Sequence, residues 1–90
     1  MSAVKIPSVL RPTVGGAREL DVEGATIGEL ITRLTEQHPS LRQQLVGEDG
    51  GLNRFVNVYV NGQDVRYLQG LDTPVEARDE VRLLPAMAGG

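Results

Sequence analysis

Two glycines, Gly89 and Gly90, end the sequence and place a main-chain carboxylate where no side chain shields it. A carboxylate at Gly90 has a pKa of roughly 3.5 and is ionised at neutral pH. It therefore becomes an electrophile only after conversion to a mixed anhydride such as an acyl-adenylate. Gly89 can adopt backbone angles that are closed to other residues, which suits passage through a narrow channel. We predict that the tail 86–90 threads into another enzyme's active site, where the Gly90 carboxylate reacts.

Composition excludes several other kinds of chemistry. The chain has 90 residues, enough for a single domain spanning 1–90. It has no cysteine, which removes disulfides, thiolate metal sites and thiol nucleophiles. The one histidine, His38, has no neighbouring nucleophile or ligand cluster in the sequence, so it supports no active site. We expect no bound cofactor and no metal, and a protein that serves as a co-substrate rather than as an enzyme.

Charge and hydropathy restrict the partners and the location. The net charge is −3 at pH 7, and aromatic residues make up only 3% of the chain. Both features argue against a nucleic-acid partner, which usually needs a basic face and stacking surfaces. The N-terminal segment lacks a long apolar run, and no stretch approaches the ~18 apolar residues of a membrane span. We expect a cytoplasmic protein that does not associate with a membrane.

The first quarter of the chain predicts a pair of strands. Alternation over residues 4–6 indicates one strand, and alternation over residues 18–22 indicates a second. Because Pro7 and Pro12 lie between them, we expect the connecting segment to be an edge strand or irregular extended chain. A Gly-Gly turn at 15–16 would join the two strands into an N-terminal hairpin.

A helix is predicted after this hairpin. Thr26 and Glu29 have the spacing of a capping box, with Thr26 as the N-cap and Glu29 reaching back. Apolar residues at helical spacing follow, and the helix should end near residues 37–38 because Pro39 disfavours helical geometry in the residue before it. Segment 40–46 is expected to add a short helical turn.

The second half of the chain contains the clearest strand, residues 54–60. Its valines share one face, whereas Phe55 and Tyr59 share the other. Asn61-Gly62 is a strong signal for a hairpin turn.

A last strand, residues 81–84, is expected to end at Pro85. The element order is β-β-α-β-(β)-β, in which one helix covers one face of a mixed sheet of four to five strands. We therefore predict an α+β fold of the β-grasp, ubiquitin-like type.

Three motifs together resemble a known family. The stretch 79–85 runs into the Gly-Gly end, the strand and turn 56–62 precede it, and a helix opens at 26–30. This combination is similar to the ubiquitin-like sulfur-carrier family, whose members include ThiS, MoaD and CysO. The resemblance covers essentially the whole chain. Segments 6–12 and 54–57 look most similar to the CysO type of actinobacteria.

The resemblance implies a sulfur-carrier mechanism. An E1-like enzyme would adenylate the Gly90 carboxylate, and a sulfur donor would convert the acyl-adenylate into a thiocarboxylate. The chain has no phosphate-binding loop motif, so ATP would be used by the partner. The acceptor would be a PLP-dependent cysteine synthase, a thiazole or thiosugar synthase, or the molybdopterin synthase large subunit. A CysO-type carrier would also meet a metal-dependent peptidase. The residues leave the acceptor open.

A partner interface is predicted around the tail. It comprises Leu84, Pro85, Ala86, Met87, Ala88, Phe55 and Tyr59. Leu84 matches the position at which an apolar residue of MoaD-type carriers contacts the partner just before the proline. Phe55 and Tyr59 could instead form a second buried face or scattered apolar surface. Arginines could make complementary contacts with a partner, although most should be solvated: Arg11, Arg18, Arg54, Arg66, Arg78 and Arg82.

Two other functions share these features. A ubiquitin-like modifier would also begin with adenylation, but its Gly90 would end in an amide bond to a target lysine. The single lysine, Lys5, argues against extensive self-linked chains and not against conjugation to other proteins. A β-grasp binding module without tail chemistry is the third possibility.

Overall fold

The computed structural model of the chain describes residues 1–85. The predicted roles of Ala86, Met87, Ala88, Gly89 and Gly90 lie outside the described residues.

Within residues 1–85, five strands form one mixed sheet in the order β2-β1-β5-β3-β4. Strand β1 is antiparallel to β2 and parallel to β5, and β5 is antiparallel to β3. The strands are β1 (Ser2–Lys5), β2 (Glu19–Val22), β3 (Val56–Val60), β4 (Gln63–Asp64) and β5 (Glu80–Pro85). The helices are α1 (Ile27–Gln37) and α2 (Arg42–Leu45), with 3-10 turns at Ser8–Val14, Pro39–Leu41, Val65–Tyr67 and Gly70–Asp72. This topology confirms the predicted α+β, β-grasp fold.

Helix α1 begins and ends where the sequence predicts. The Thr26 hydroxyl accepts a hydrogen bond from the Glu29 N–H at 3.2 Å, which satisfies one of the free donors of the first turn. The Glu29 carboxylate in turn accepts a hydrogen bond from the Thr26 hydroxyl at 3.5 Å. At the other end, the His38 N–H donates to the Leu34 carbonyl at 2.9 Å before Pro39 stops the helix.

The core lies between α1 and one face of the sheet. The buried side chains of α1 are Ile27, Leu30, Ile31, Leu34 and Thr35. The facing residues of the strands are mostly valines, which suit a pleated surface that packs against a helix. They include Val4, Val22, Val58, Val60, Val81 and Leu83. Leu41 and Leu45, on the short helical turns after α1, close one end of this core.

The segment between β1 and β2 differs from the expectation of an edge strand or extended chain. It is a 3-10 helix, Ser8–Val14. Leu10 and Val14 are buried whereas Pro12 between them is exposed, a helical rather than an alternating pattern of burial. Gly15 ends the helix in the left-handed conformation at φ 68°. The prolines suggested an extended chain, but burial of these two side chains favours a helical turn.

The bounds of β3 and β5 also differ from the prediction. Strand β3 begins at Val56 rather than at residue 54, because the Phe55 N–H donates to the Asn53 side chain at 2.9 Å and forms a local turn. Strand β5, Glu80–Pro85, is one residue longer at each end than the predicted strand, and Pro85 is its last residue, opposite Val56. Pro85 is tolerated there because pairs alternate from the Asn61 N–H bond to the Glu80 carbonyl, which makes 56/85 a non-hydrogen-bonded pair that needs no N–H from Pro85. The Val56 carbonyl points away from β5 and accepts from Arg66 Nη2 at 2.8 Å.

The β3–β4 turn is fastened to the start of β5. Asn61 and Gly62 have φ values of 51° and 87°, as the predicted Asn-Gly hairpin turn requires. The Asn61 side chain donates to Asp79 at 3.0 Å and accepts from the Glu80 N–H at 3.0 Å. The other Asp79 oxygen accepts from the Glu76 N–H at 2.8 Å. These contacts set where β5 begins.

The Asp79 carboxylate makes the fold sensitive to acid. The hydrogen bond from the Glu76 N–H lowers the pKa of Asp79 below its ordinary value of 3.8, and Asn61 and Arg78 act in the same direction. A lowered folded-state pKa stabilises the fold above about pH 4, and this stabilisation is lost as the pH falls through the folded-state value.

We expect Asp79→Asn to unfold more readily than the parent at pH 7, with the difference shrinking below about pH 4. Urea unfolding at a series of pH values measures this difference. Asp72→Asn is the control, because Asp72 lies on an exposed 3-10 turn away from β5. A stability difference for Asp79→Asn that stays constant down to pH 2 would contradict this assignment.

Adjacent leucines of β5 should differ strongly in their effect on stability. Leu83 is 0% exposed in the core, whereas Leu84 is 37% exposed on the other face. We expect Leu83→Ala to lower the free energy of unfolding by about 2–5 kcal/mol, because it leaves a cavity. Leu84→Ala should lower it by less than about 1 kcal/mol. Chemical denaturation of both variants checks the expectation, and equal losses would show that the faces are assigned wrongly.

Candidate functional site at the root of the tail

The residues that precede the tail 86–90 belong to β5, which is the central strand of the sheet. Val81 and Leu83 point into the core, so Arg82 and Leu84 lie on the outer face. Strand β1 flanks β5 on one side and β3 flanks it on the other. Residue 85 is therefore held by a strand that has a hydrogen-bonded neighbour on both sides, although β1 pairs only as far as Arg82.

The pairing of β5 with β3 brings several predicted interface residues together. Leu84 lies opposite Asn57, and Pro85 lies opposite Val56. Phe55 immediately precedes Val56, so it lies beside the point where β5 ends. Tyr59 lies two pairs beyond Asn57, opposite Arg82.

The outer face of the sheet is not a second core. Phe55 is 54% exposed, Leu84 is 37% exposed and Tyr59 is half-buried. The Arg54 guanidinium covers one side of the Phe55 ring at 5.0 Å from its centroid. An exposed aromatic ring and an exposed leucine beside the same strand end form a small apolar surface, which a partner can cover.

Arg66 shapes this surface, and the sequence interpretation gave it no specific role. Its guanidinium donates to the Asn57 side chain at 2.6 Å and to the carbonyls of Asn53 and Val56 at 3.0 Å and 2.8 Å. It thereby holds the turn that contains Phe55 against the first residues of β3. These contacts join residues 9 to 13 positions apart in the sequence. The only local sign of them was Asn57, a polar residue on the outer face of a valine-rich strand.

The described part of the chain contains no assembled catalytic centre. Among residues 1–85, no group of three or more histidine, aspartate or glutamate side chains is placed to hold a metal ion. Every buried side-chain nitrogen or oxygen in this range has a hydrogen-bond partner. None of the helices described is long and apolar enough to cross a bilayer. The predicted reactive groups, Gly89 and Gly90, are outside this range.

A family assignment follows from the sequence as a whole. The chain matches the ThiS family over residues 4–90. The chain belongs to the ThiS family. The resemblance inferred from the three sequence motifs is therefore confirmed, and the β-grasp sheet described above is the fold that this family assignment leads us to expect.

Relatives of this ThiS-family chain carry informative descriptions. The sulfur carrier protein CysO of Mycobacterium tuberculosis is 42% identical over 89 residues, which cover 97% of this chain and 96% of the relative. A chain in the crystal structure of the Amycolatopsis orientalis BexX/CysO complex has a TM-score of 0.90 and 41% identity, covering 100% of both chains. Small archaeal modifier protein 1 of Haloferax volcanii is 36% identical over 80 residues, which cover 86% of this chain and 87% of the relative.

Removing the Arg66 guanidinium should loosen the turn that presents Phe55. We expect Arg66→Ala to lower the free energy of unfolding by about 1–2 kcal/mol, a modest loss because the side chain is exposed to water. Hydrogen exchange at the amides of residues 55–57 should become faster. Arg54→Ala is the matched control, since it removes only the stacking on Phe55, worth about 0.5–1 kcal/mol. Unchanged exchange at 55–57 in Arg66→Ala would contradict the role of Arg66.

Proposed function

We propose that this chain is a sulfur carrier whose Gly90 carboxylate is converted to a thiocarboxylate. The observation that carries the proposal is the match to the ThiS family over residues 4–90, together with a relative described as a sulfur carrier that aligns along nearly its whole length. The proposal places the reaction at the tail and gives residues 1–85 the task of holding and presenting that tail.

The chemistry begins with activation of a poor electrophile. A carboxylate oxygen of Gly90 attacks the α-phosphorus of ATP in an E1-like enzyme, and pyrophosphate leaves. A sulfur nucleophile then attacks the acyl carbon, and AMP leaves with the electron pair of the broken C–O bond. The product is a thiocarboxylate on Gly90. Gly90 suits both attacks because it has no Cβ to obstruct the acyl carbon, and Gly89 gives the backbone freedom to enter a narrow channel.

The described residues supply the platform. Strands β1 and β3 flank β5, and β3 pairs with it as far as Pro85, which fixes the residue that precedes the tail. Leu84, Pro85, Phe55 and Tyr59 form the proposed contact with the body of the partner. Within the tail, Ala86 and Ala88 would keep the chain narrow, and Met87 would supply an adaptable apolar contact.

The partners are proposed by class. The first is the adenylating enzyme, which uses ATP, so this chain itself binds no cofactor. The second is a sulfur acceptor: a PLP-dependent cysteine synthase, a thiazole or thiosugar synthase, or the molybdopterin synthase large subunit. If the acceptor makes a cysteine adduct on Gly90, a metal-dependent peptidase would release it. The structural relative in the BexX/CysO complex supports assembly with a separate protein. All of these reactions would take place in the cytoplasm.

A modifier is the alternative, because one relative is described as a small archaeal modifier protein. A modifier uses the same activated Gly90, which a lysine amine rather than a sulfur donor then attacks. The CysO relatives have higher identity over a larger share of the chain, which favours the carrier. The two functions differ in their products, since a carrier gives a thiocarboxylate and a modifier gives isopeptide-linked conjugates.

The proposal is tested by mass spectrometry of the C-terminal peptide. The protein is incubated with ATP, magnesium, sulfide and an E1-like adenylating enzyme that is first shown to activate a CysO relative. We expect one oxygen of Gly90 to be replaced by sulfur. Because this mass change is nearly equal to that of methionine oxidation at Met87, accurate mass or a thiocarboxylate-selective reagent is needed.

Two variants serve as controls for this experiment. Deletion of Gly90 should abolish the product, and so should extension of the chain by one residue beyond Gly90, while both variants keep the unfolding midpoint of the parent. An unmodified Gly90 in the presence of an enzyme that thiolates the CysO relative would reject the carrier proposal.

A further inference from the structure

A groove next to Pro85, the residue before the tail 86–90, is lined by several positively charged side chains, although the chain is negative overall. The groove has a volume of about 700 Å³ and reaches Leu84 and Pro85 at one end. Four of the nine cationic side chains of the chain line it: Lys5, Arg11, Arg18 and Arg82. Glu19 is the one carboxylate in the lining and Glu80 pairs with Arg82 from outside it, so the groove has a local net charge of +2 against −3 for the whole chain.

Three separate parts of the sequence build this groove. The parallel pairing of β1 with β5 places Lys5 opposite Arg82 on the outer face. Arg18 lies just before β2, where its carbonyl accepts from the Ile6 N–H at 2.8 Å. Arg11 comes from the 3-10 helix Ser8–Val14, and its Nε donates to the Ile6 carbonyl at 3.1 Å, which holds it over the end of β1.

Half of the cationic side chains of the groove have no acidic partner within residues 1–85. Lys5 pairs with Glu19 at 3.5 Å, and Arg82 pairs with Glu80 at 3.0 Å. Arg11 and Arg18 make no ion pair in the described part of the chain. Clustered charges of one sign, brought together from distant positions and left unneutralised, create a potential that attracts an oppositely charged surface.

We propose that this groove binds an acidic surface of the adenylating enzyme, next to the entrance of the channel that takes the tail. The inference rests on the proposed function. Five residues span at most roughly 17 Å when fully extended, so the enzyme that holds Gly90 must lie within that distance of Pro85. The groove borders Pro85, and its charge complements an acidic rim. It contains no aromatic side chain for stacking, which argues against a nucleic acid as its occupant.

The groove contributes mainly to capture of the carrier. Attraction between exposed charges raises the association rate and weakens as salt screens it. The groove therefore affects kcat/KM for the carrier and leaves kcat unchanged, because the chemistry takes place at Gly90. The apolar contact of Phe55 and Leu84 is not weakened by electrostatic screening, and in this proposal it gives the complex its register.

The test compares two charge reversals that change the net charge equally. Arg18→Glu reverses a charge in the groove, at a side chain that makes no hydrogen bond within residues 1–85. Arg33→Glu reverses an exposed charge on α1, on the helix side of the sheet. Arg18→Lys keeps the charge of the groove. For each protein, kcat/KM is measured by carrier-dependent ATP–pyrophosphate exchange from about 0.05 M to about 0.5 M sodium chloride, and thermal unfolding verifies the fold.

We expect Arg18→Glu to lower kcat/KM by about 3- to 10-fold at low salt, with kcat unchanged and the difference nearly gone at high salt. Arg18→Lys and Arg33→Glu should stay within about twofold of the parent. Arg11→Glu tests the second unpaired charge and should give the same salt-dependent loss.

Two results would contradict the proposed role of the groove in binding the enzyme and leave the proposed carrier function unaffected. One is a parent and an Arg18→Glu variant with equal kcat/KM at every salt concentration. The other is an equal loss in Arg33→Glu, which would reflect net charge alone. A parent that the enzyme does not activate, while it activates the CysO relative, would reject the carrier function and the groove with it.

Discussion

The placement of β5 between β1 and β3 is the constraint on which the rest of the structure depends. This strand pairs in parallel on one side and antiparallel on the other, so it joins the N-terminal hairpin to the β3–β4 hairpin. Val81 and Leu83 anchor it to the core beneath α1. Residue 86 follows a strand that pairs with β3 as far as Pro85 and with β1 as far as Arg82. Under the proposed function, β5 is the element that presents residues 86–90 to the partner.

Alternation along β5 and β3 assigns different tasks to the two faces of the sheet. Inward residues are almost entirely aliphatic and make the core with α1. Outward residues mix charge with a small apolar surface at Phe55 and Leu84. Arg66 ties the Asn53 turn to β3, so the position of Phe55 depends on a side chain that follows β4. The groove on the other side of β5 is charged instead, so β5 has an apolar neighbour on one flank and a cationic neighbour on the other.

Local signals in the sequence predicted the elements well. The Thr26 cap, the Pro39 stop, the Asn61-Gly62 turn and the alternation of β3 depend on residues within a few positions of each other, and all are found in the structure. The order of elements then restricted the topology to a β-grasp. The connection between β1 and β2 was predicted wrongly, because the spacing of Leu10 and Val14 fits a helix or a strand, and only the exposure of Pro12 between them in the structure distinguishes the two. The predicted end of the last strand at Pro85 was close, since β5 includes Pro85 as its last residue, at a non-hydrogen-bonded position that only the β3–β5 register reveals.

The site was less predictable because its contacts are long-range. No local pattern shows that Arg66 reaches Asn53, or that Arg11 and Arg18 meet Arg82 across the parallel pair of β1 and β5. Leu84 could be placed on the outer face from alternation alone, and Phe55 could be placed beside the end of β5 only once the β3–β5 register was known. The chemistry assigned to Gly89 and Gly90 came from their type and position and from the family resemblance, not from any contact.

The central position of β5 also bears on how the protein is made. Strands β1 and β2, and strands β3 and β4, can pair within their own hairpins, but in residues 1–85 no strand pairing joins these hairpins except through β5. A nascent chain still lacking residues 80–85 therefore cannot complete its sheet, and its valine faces stay uncovered until the ribosome has released nearly the whole sequence. Incomplete translation products then remain unfolded and open to proteolysis. A folded copy of the chain has consequently been synthesised at least as far as β5.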